Sequence, residues 1–272
     1  MLSRTISVLG CGWLGLPVAK ELISCGYQVK GSTTSAAKIP LLKEQGIIPF
    51  TVEVNAEIRG HECDRFFDAD ILILTIPFKR NLEYPEVYRD QIQCIIQALD
   101  QSRIQWVVFT SSTAVYPMTN RIFKEDDIFS PDNERARILW TVEQLLLKSK
   151  HFDATILRLG GLYGGDRPLG KFLAGKTKLD QPESPVNLVH QDDAARVIVE
   201  VIDQNVRREI FNVCSDDHPS RKELYTFAAK QLGLYPPQFM ERGALKYKMI
   251  SNEKLKRRLG YPFKHPTPLK QD

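Results

Sequence analysis

The chain has 272 residues, of which 43% are hydrophobic, 9% aromatic and 26% charged, a balance that excludes a disordered, collagenous or disulfide-scaffold protein. Thirty-seven Lys and Arg against 33 Asp and Glu leave a formal net charge of +4, too small to make nucleic acid or a membrane surface the expected partner. Five widely separated cysteines without a CxxC pair suit reduced thiols in the cytoplasm, and no run reaches the ~18 apolar residues of a membrane span.

Arg4 and the apolar stretch to Ala19 superficially suit a secretory leader. Glycines at positions 10, 12 and 15, Pro17, and the Lys20–Glu21 pair where cleavage-site residues would stand favour a strand, a turn and a helix instead. From there, short β-rich runs at Thr5–Leu9, Tyr27–Ser32, Ile47–Val52, Asp70–Ile76, Gln105–Ser111 and Ala154–Leu159 alternate with helix-period segments. The helices fall at Leu14–Ser24, Ala37–Gln45, Pro85–Gln101 and Glu134–Lys148. Such alternation predicts right-handed βαβ crossovers, hence an α/β fold with a Rossmann-type doubly wound parallel sheet. The unbroken Ile71–Leu74 run predicts a strand buried on both faces.

After Leu159 the rhythm loosens into glycine- and proline-rich loops, followed by a helix at Asp192–Gln204, a strand at Glu209–Val213, and helices at Arg221–Leu232 and Ser251–Leu259. The expected division is a dinucleotide-binding domain at 1–165 and a smaller mixed C-terminal substrate lobe at 166–272, interleaved with the first. From Glu241 to Asp272 nine Lys and Arg stand against three Asp and Glu, giving +6 there and −2 elsewhere. Leu255 and Leu259, four apart, predict that the last helix buries one stripe and leaves its lysines and arginines in solvent.

Gly10, Cys11, Gly12, Trp13, Leu14 and Gly15 spell GxGxxG between the first strand and the first helix. Its three glycines would serve a tight turn, backbone approach to a pyrophosphate and close helix packing, while the helix N-terminus offers N–H groups to the phosphates. A cofactor preference is expected at the end of the second strand. No acid occurs from Leu22 to Lys43; Ser32, Thr33 and Thr34 supply hydroxyls and Lys38 a positive charge, which favours the 2′-phosphate of NADP over the ribose of NAD. The alternative is a polar turn in which Ser35 caps the next helix. Thr75, Ile76 and Pro77 end the fourth strand, where open α/β sheets place their ligand crevice.

Thr110, Ser111, Ser112, Thr113, Ala114, Val115, Tyr116 and Pro117 resemble the TSSxxVYG segment of the extended short-chain dehydrogenases/reductases, the NAD-dependent epimerase/dehydratase family. Leu157–Gly164 resembles that family's LRxxxxYG loop, Val186–Asp193 its NxVHVDD segment, and Ser251–Tyr261 its closing SNxKLxxxLGY helix. The string GCGWLG and the segment KFLAGKT at 171–177 resemble the YeeZ-like bacterial group within it. The resemblance implies an NAD(P)-dependent oxidoreductase or epimerase acting on a nucleotide sugar or related hydroxy or carbonyl compound. It also implies that Thr110, Ser111, Leu159, Gly160 and Gly161 lie beside the nicotinamide, that Ser112 bonds the substrate oxygen, and that the helix from Pro85 is a candidate for pairing in a homodimer.

One departure is chemical. The family uses a Tyr as general acid/base and a Lys four residues on to lower its pKa. Aligned on Val142–Gln144, those positions hold Arg135 and Leu139, and none of the nine tyrosines is followed by a lysine at that spacing. Tyr116 and Tyr163 are weak substitutes, more readily explained by packing. Arg137 could orient an anionic substrate but cannot act as a base. Arg167 and Lys171, with Lys176 and Lys178, could receive a phosphorylated substrate, or simply be solvated loop charge. His190 beside Asp192 and Asp193 could serve chemistry, or the acids could cap the helix. His61, Cys63 and Asp64 read as a surface loop, and no metal-ligand spacing is expected. A non-catalytic NAD(P)-binding sensor is therefore the alternative reading.

Overall fold

The computed structural model describes residues 4–78, 84–240 and 245–270. Apolar runs become strands where they are expected. Thr5–Leu9 (β1) leads through the glycine turn into Gly15–Ser24 (α1), then Gln28–Thr33 (β2). The helix expected over Ala37–Gln45 is split into a 3-10 turn at Ala36–Lys38 and a helix at Ile39–Glu44 (α2). Pro40 sits in the first turn of α2; it has no N–H to extend the preceding turn, but its fixed φ suits a new helix start. The Ser35 side chain makes no capping hydrogen bond to that turn.

Ile48–Val54 (β3) and Ile58–Gly60 (β4) follow, then Cys63–Phe67 (α3), Ile71–Leu74 (β5), Val87–Leu99 (α4) and Trp106–Ser112 (β6). The surface loop expected around His61–Asp64 is thus partly helical, because Phe66 and Phe67 are buried and draw the chain inward. Further on come Arg121–Phe123 (β7), Glu134–Leu147 (α5), Asp153–Leu159 (β8), Gly161–Tyr163 (β9), Gly170–Leu173 (α6), Leu188–His190 (β10) and Gln191–Asp203 (α7). Ile210–Val213 (β11), Arg221–Gln231 (α8), Lys248–Ile250 (β12) and Glu253–Leu259 (α9) complete the order.

The eight-stranded sheet runs β11-β8-β6-β5-β1-β2-β3-β4. Its β1–β2, β1–β5, β2–β3 and β5–β6 pairs are parallel, and β4 is antiparallel to β3 at the edge. All four residues of β5 are buried, as expected of a strand covered on both faces. Because β1 lies between β2 and β5, the crossovers reverse direction there, and this topological switch point is where doubly wound sheets bind ligands. The register aligns Leu9 with Leu74 and Leu74 with Phe109, so the residues after β1, β5 and β6 leave the sheet along one edge.

The chain divides into two compact units, one of residues 1–111, 133–157 and 195–210, the other of 112–132, 158–194 and 211–272. Residue 165 lies inside the second unit. In the first, Trp106 Nε1 donates to Thr155 Oγ1 (2.9 Å), whose hydroxyl donates to the Val206 carbonyl (3.0 Å), tying the sheet centre together. In the second, two short parallel ribbons pair β9 with β10 and β7 with β12. Tyr163, Leu169, Leu188, Leu224 and Ala228 form a core there. Leu255 and Leu259 are buried in α9 while Lys256, Arg257 and Arg258 are exposed. All five cysteines are free thiols, and among the described residues no helix is long and apolar enough to cross a membrane.

Candidate functional site

The turn after β1 is built around its glycines. Gly10 adopts φ +108°, a conformation that favours glycine, and its N–H donates to Ser32 Oγ (2.8 Å). Cys11 N–H donates to the Ser32 carbonyl (2.8 Å), and the Thr75 hydroxyl donates to the Gly10 carbonyl (2.8 Å). Ser32 and Thr75 therefore hold the loop from both neighbouring strands. A Cβ at Gly15 would lie 2.2 Å from the Gly10 carbonyl oxygen, whereas one at Gly12 would meet nothing closer than 3.9 Å. Gly15 is required by close packing. Gly12 leaves an open face, the cradle that a pyrophosphate needs. Leu14, at the N-cap of α1, makes no side-chain capping hydrogen bond, and no acid stands in the first turn to repel an anion. A dinucleotide fits these residues. Trp13 is half-buried and Leu14 buried beside the turn.

At the end of β2, Thr33 is buried and its Oγ1 accepts from the Ser35 N–H (3.1 Å), while Thr34 and Lys38 are exposed. The hydroxyls of Ser32 and Thr33 thus shape the backbone, and Thr34 and Lys38 are the groups presented to solvent. After β5, the Tyr88 hydroxyl donates to the Ile76 carbonyl (3.1 Å), Pro77 is exposed, and Phe78 stacks on Tyr88 with ring centres 4.6 Å apart.

Arg135 and Leu139, the positions expected to match the family's Tyr and Lys, lie on α5. Arg135 donates to the Phe78 carbonyl (2.6 Å) and lies 4.2 Å over the Phe78 ring, so its guanidinium supports the loop after β5. Leu139 is buried. Ser111 donates to the fully buried Glu143 Oε1 (2.5 Å), and the Thr110 hydroxyl donates to the Leu74 carbonyl (2.9 Å). Both residues are thereby tethers of β6 rather than groups facing a ligand with their side chains. Leu139, Glu143 and Leu146 share one helix face by their spacing, so a carboxylate among leucines was the signal in the sequence for the missed Ser111–Glu143 pair. Arg137 is exposed.

In the second unit, Ser112 Oγ accepts from the Ala114 N–H (3.1 Å) and is half-buried, which leaves its hydroxyl proton to donate elsewhere. Tyr116 is packed within the second unit. It is 1% exposed, its hydroxyl donates to Asn212 Oδ1 (2.8 Å) and accepts from Arg158 Nη1 (2.7 Å). Burial pushes its pKa up to about 12 against the lowering charge of Arg158. Glu125 accepts from the Asn212 N–H (2.8 Å), and burial raises its carboxyl above the ordinary range. Lys248 donates to the Tyr116 carbonyl, and burial brings its amine down to about 8. Sequence reading missed Asn212, Glu125 and Lys248, since nothing local marks a partner 96 residues from Tyr116.

Leu159 and Gly160 are buried, and a Cβ at Gly160 would meet the Asn187 carbonyl at 2.9 Å. At Gly161 it would meet the Leu188 side chain at 2.7 Å, so both glycines serve the approach of β10. Tyr163 is 3% exposed and packs edge-on to His190. Arg167 and Lys171 are exposed.

His190 is half-buried, its Nδ1 accepts from the Asp192 N–H (3.2 Å), and its ring lies 3.7 Å from that of His265. Burial, then the charge of His265, lowers its pKa and favours the neutral imidazole. Both acids stand in the first turn of α7, where Asp193 accepts from the Tyr261 hydroxyl (2.7 Å) and from the N–H groups of Lys264 (2.7 Å) and His265 (2.9 Å).

The chain is 34% identical over 271 residues to Protein YeeZ of Escherichia coli strain K12, covering 98% of both chains. It belongs to the YeeZ family. No family model matches the chain. Its fold is shared with UDP-N-acetylglucosamine 4-epimerase from Bacillus cereus (16% identity, TM-score 0.75, 96% of this chain and 91% of that one). A short-chain dehydrogenase/reductase superfamily protein from Agrobacterium tumefaciens with bound NAD is equally similar (16%, TM-score 0.76, 96% and 93%). This YeeZ-family chain therefore has the Rossmann-type fold of the extended short-chain dehydrogenases/reductases.

Proposed function

We propose that this YeeZ-family protein binds a nicotinamide dinucleotide, NADP in preference to NAD. It would use the cofactor in an oxidoreductase or epimerase reaction on a nucleotide sugar or a related hydroxy or carbonyl compound. The glycine turn carries the reading: Gly15 admits no side chain, Gly12 leaves its face open, and the turn sits at the switch point of the sheet. The epimerase relative acts on a UDP-sugar by its name, and the dehydrogenase relative holds NAD. The bound nicotinamide would accept or return a hydride. Thr34 and Lys38, exposed after β2, would meet the ribose phosphate. Trp13 and Leu14 would flank the pyrophosphate, and the backbone of Ile76 and Pro77 would line the nicotinamide.

Ser112 would donate a hydrogen bond to the substrate oxygen and polarise it while its Oγ stays fixed by the Ala114 N–H. Arg137, Arg167 and Lys171 would attract an anionic substrate from the surface. We place the protein in the cytoplasm as a homodimer paired through α4, with no nucleic-acid or membrane partner.

A second reading has its own observation. Arg135 is held on the Phe78 ring and carbonyl and cannot exchange protons at neutral pH, so a sensor that binds the dinucleotide without turnover is the rival. Nicotinamide fluorescence titrations with NADPH and NADH, followed by a panel of nucleotide sugars and carbonyl compounds, separate them. Tighter NADPH binding with oxidation on the panel is the expected result. Binding without turnover moves the protein to the sensor reading, and no binding of either dinucleotide overturns both.

A further inference from the structure

We propose that His190, Asp192 and His265 form a binding site for one divalent transition-metal ion, of which Zn²⁺ is the representative. One donor atom from each residue lies within 4.8 Å of the other two. His265 Nε2 is 3.5 Å from Asp192 Oδ2, and His190 Nδ1 is 3.9 Å from the same oxygen. Ligands bound to a tetrahedral Zn²⁺ at 2.0–2.1 Å lie about 3.3 Å from one another. The observed edges therefore need only sub-ångström to roughly one-ångström adjustments to close on an ion. Two imidazoles and a carboxylate are a donor set that Zn²⁺ and its first-row neighbours prefer, and three protein ligands leave one position for water or another ligand.

The surroundings hold these side chains in place, which is what distinguishes a site from a chance meeting of polar groups. The His190 ring is fixed on one side by Gly164, where a Cβ would come 2.2 Å from Nε2, and on another by the edge of Tyr163. This packing leaves Nδ1 as the donor that faces Asp192. His265 is brought to it from the far end of the sequence by Asp193, which takes the backbone N–H groups of Lys264 and His265 together with the Tyr261 hydroxyl. Asp193 thus acts as an outer-shell clamp, the role such hydrogen bonds play behind metal ligands. Two contacts compete with an ion. The Lys264 ammonium bonds Asp192 Oδ2 (2.8 Å), and the Asp192 N–H bonds His190 Nδ1 (3.2 Å). The lysine is exposed and can swing into solvent. The N–H belongs to the first turn of α7, where such groups have no intrahelical acceptor and readily take water.

The test is calorimetric titration of the whole chain with Zn²⁺ in a non-chelating buffer, paired with the visible absorption of Co²⁺ as a reporter of tetrahedral N/O coordination. One ion per chain is expected, and Asp192→Asn and His190→Ala should each weaken it at least about tenfold. Lys264→Gln should tighten it about two- to fivefold, since an exposed ion pair with Asp192 is removed. Asp192 is half-exposed, so Asp192→Asn keeps the test intact even where His190→Ala impairs folding, which circular dichroism would show. Absence of saturable one-to-one binding overturns the proposal. So does binding unchanged in Asp192→Asn, binding not tightened in Lys264→Gln, or binding lost in Cys25→Ser, the last pointing to an exposed thiol. Dinucleotide binding by the same variants reports separately on the first unit, so failure here leaves the cofactor reading untouched.

Discussion

At Gly15 one added methyl group would come 2.2 Å from a backbone oxygen, whereas position 135 of α5, where the resemblance leads one to expect a tyrosine, holds an arginine that the structure accommodates with a hydrogen bond and a ring contact. Both places belong to the same unit and to the same family pattern. The glycine turn is constrained by hard contacts: its shape depends on Ser32, Thr75 and the absence of two Cβ atoms, and any departure breaks it. The α5 surface is constrained only by what its side chains touch, and Arg135 makes a new set of contacts with Phe78. Sterically determined features persist through a change of chemistry that replaceable side chains do not resist.

Each prediction strains one side of that contrast. Gly15→Ala should produce the largest effect, because either the loop or α1 must move; dinucleotide affinity should fall by about 100-fold or more, read by nicotinamide fluorescence. Retained affinity would show that the turn is not sterically closed. Next, once a substrate is in hand, Ser112→Ala should lower kcat by about 100-fold with dinucleotide affinity unchanged, the scale seen when a single donor to a developing oxyanion is removed. An unchanged kcat would take Ser112 out of the chemistry.

Lys38→Ala should weaken NADPH about tenfold and leave NADH within error, as loss of one exposed charge-assisted contact to a phosphate requires. Equal losses would place the lysine elsewhere. Arg135→Leu should cost about 1–3 kcal/mol in thermal or urea unfolding through the lost Phe78 contacts. A larger loss of dinucleotide affinity than of stability would mean that the loop after β5 depends on this arginine to meet the cofactor.

The smallest effect is a pH dependence in the second unit. Burial lowers Lys248 to about 8, so between that value and the ordinary lysine range the unfolded chain holds a proton that the folded chain has released. Stability attributable to this group therefore rises with pH across that window, and Lys248→Met should flatten the rise in a comparison of melting curves.

Much of the first unit was readable from the chain itself. Ile71–Leu74 is continuous and apolar because a central parallel strand is covered on both faces. The glycine spacing 10, 12, 15 marks the turn because position 10 takes a left-handed φ and position 15 has no room for a Cβ, while position 12 leaves its face open. Three-residue strands such as β7, β9, β10 and β12 carried no such mark; they are too short to show a period, and their partners lie far along the chain. The split of the Ala37–Gln45 helix was foreshadowed in the sequence by Pro40, yet only the structure showed that the new helix begins at Ile39.

The local pattern, then, determined the strands of the sheet and the glycine turn, because backbone sterics and side-chain periodicity act over a few residues. Only the tertiary structure decided what the polar residues do. Tyr116 and Ser111 were candidates for ligand contacts until Asn212, Arg158 and Glu143 were seen to engage them. His190 stood beside Asp192 and Asp193 with no second histidine in view until Asp193 was seen to place His265 against its ring. A polar side chain's role is set by whichever donor or acceptor the fold brings to it, and in the dry interior an unmet partner costs too much to be left to chance.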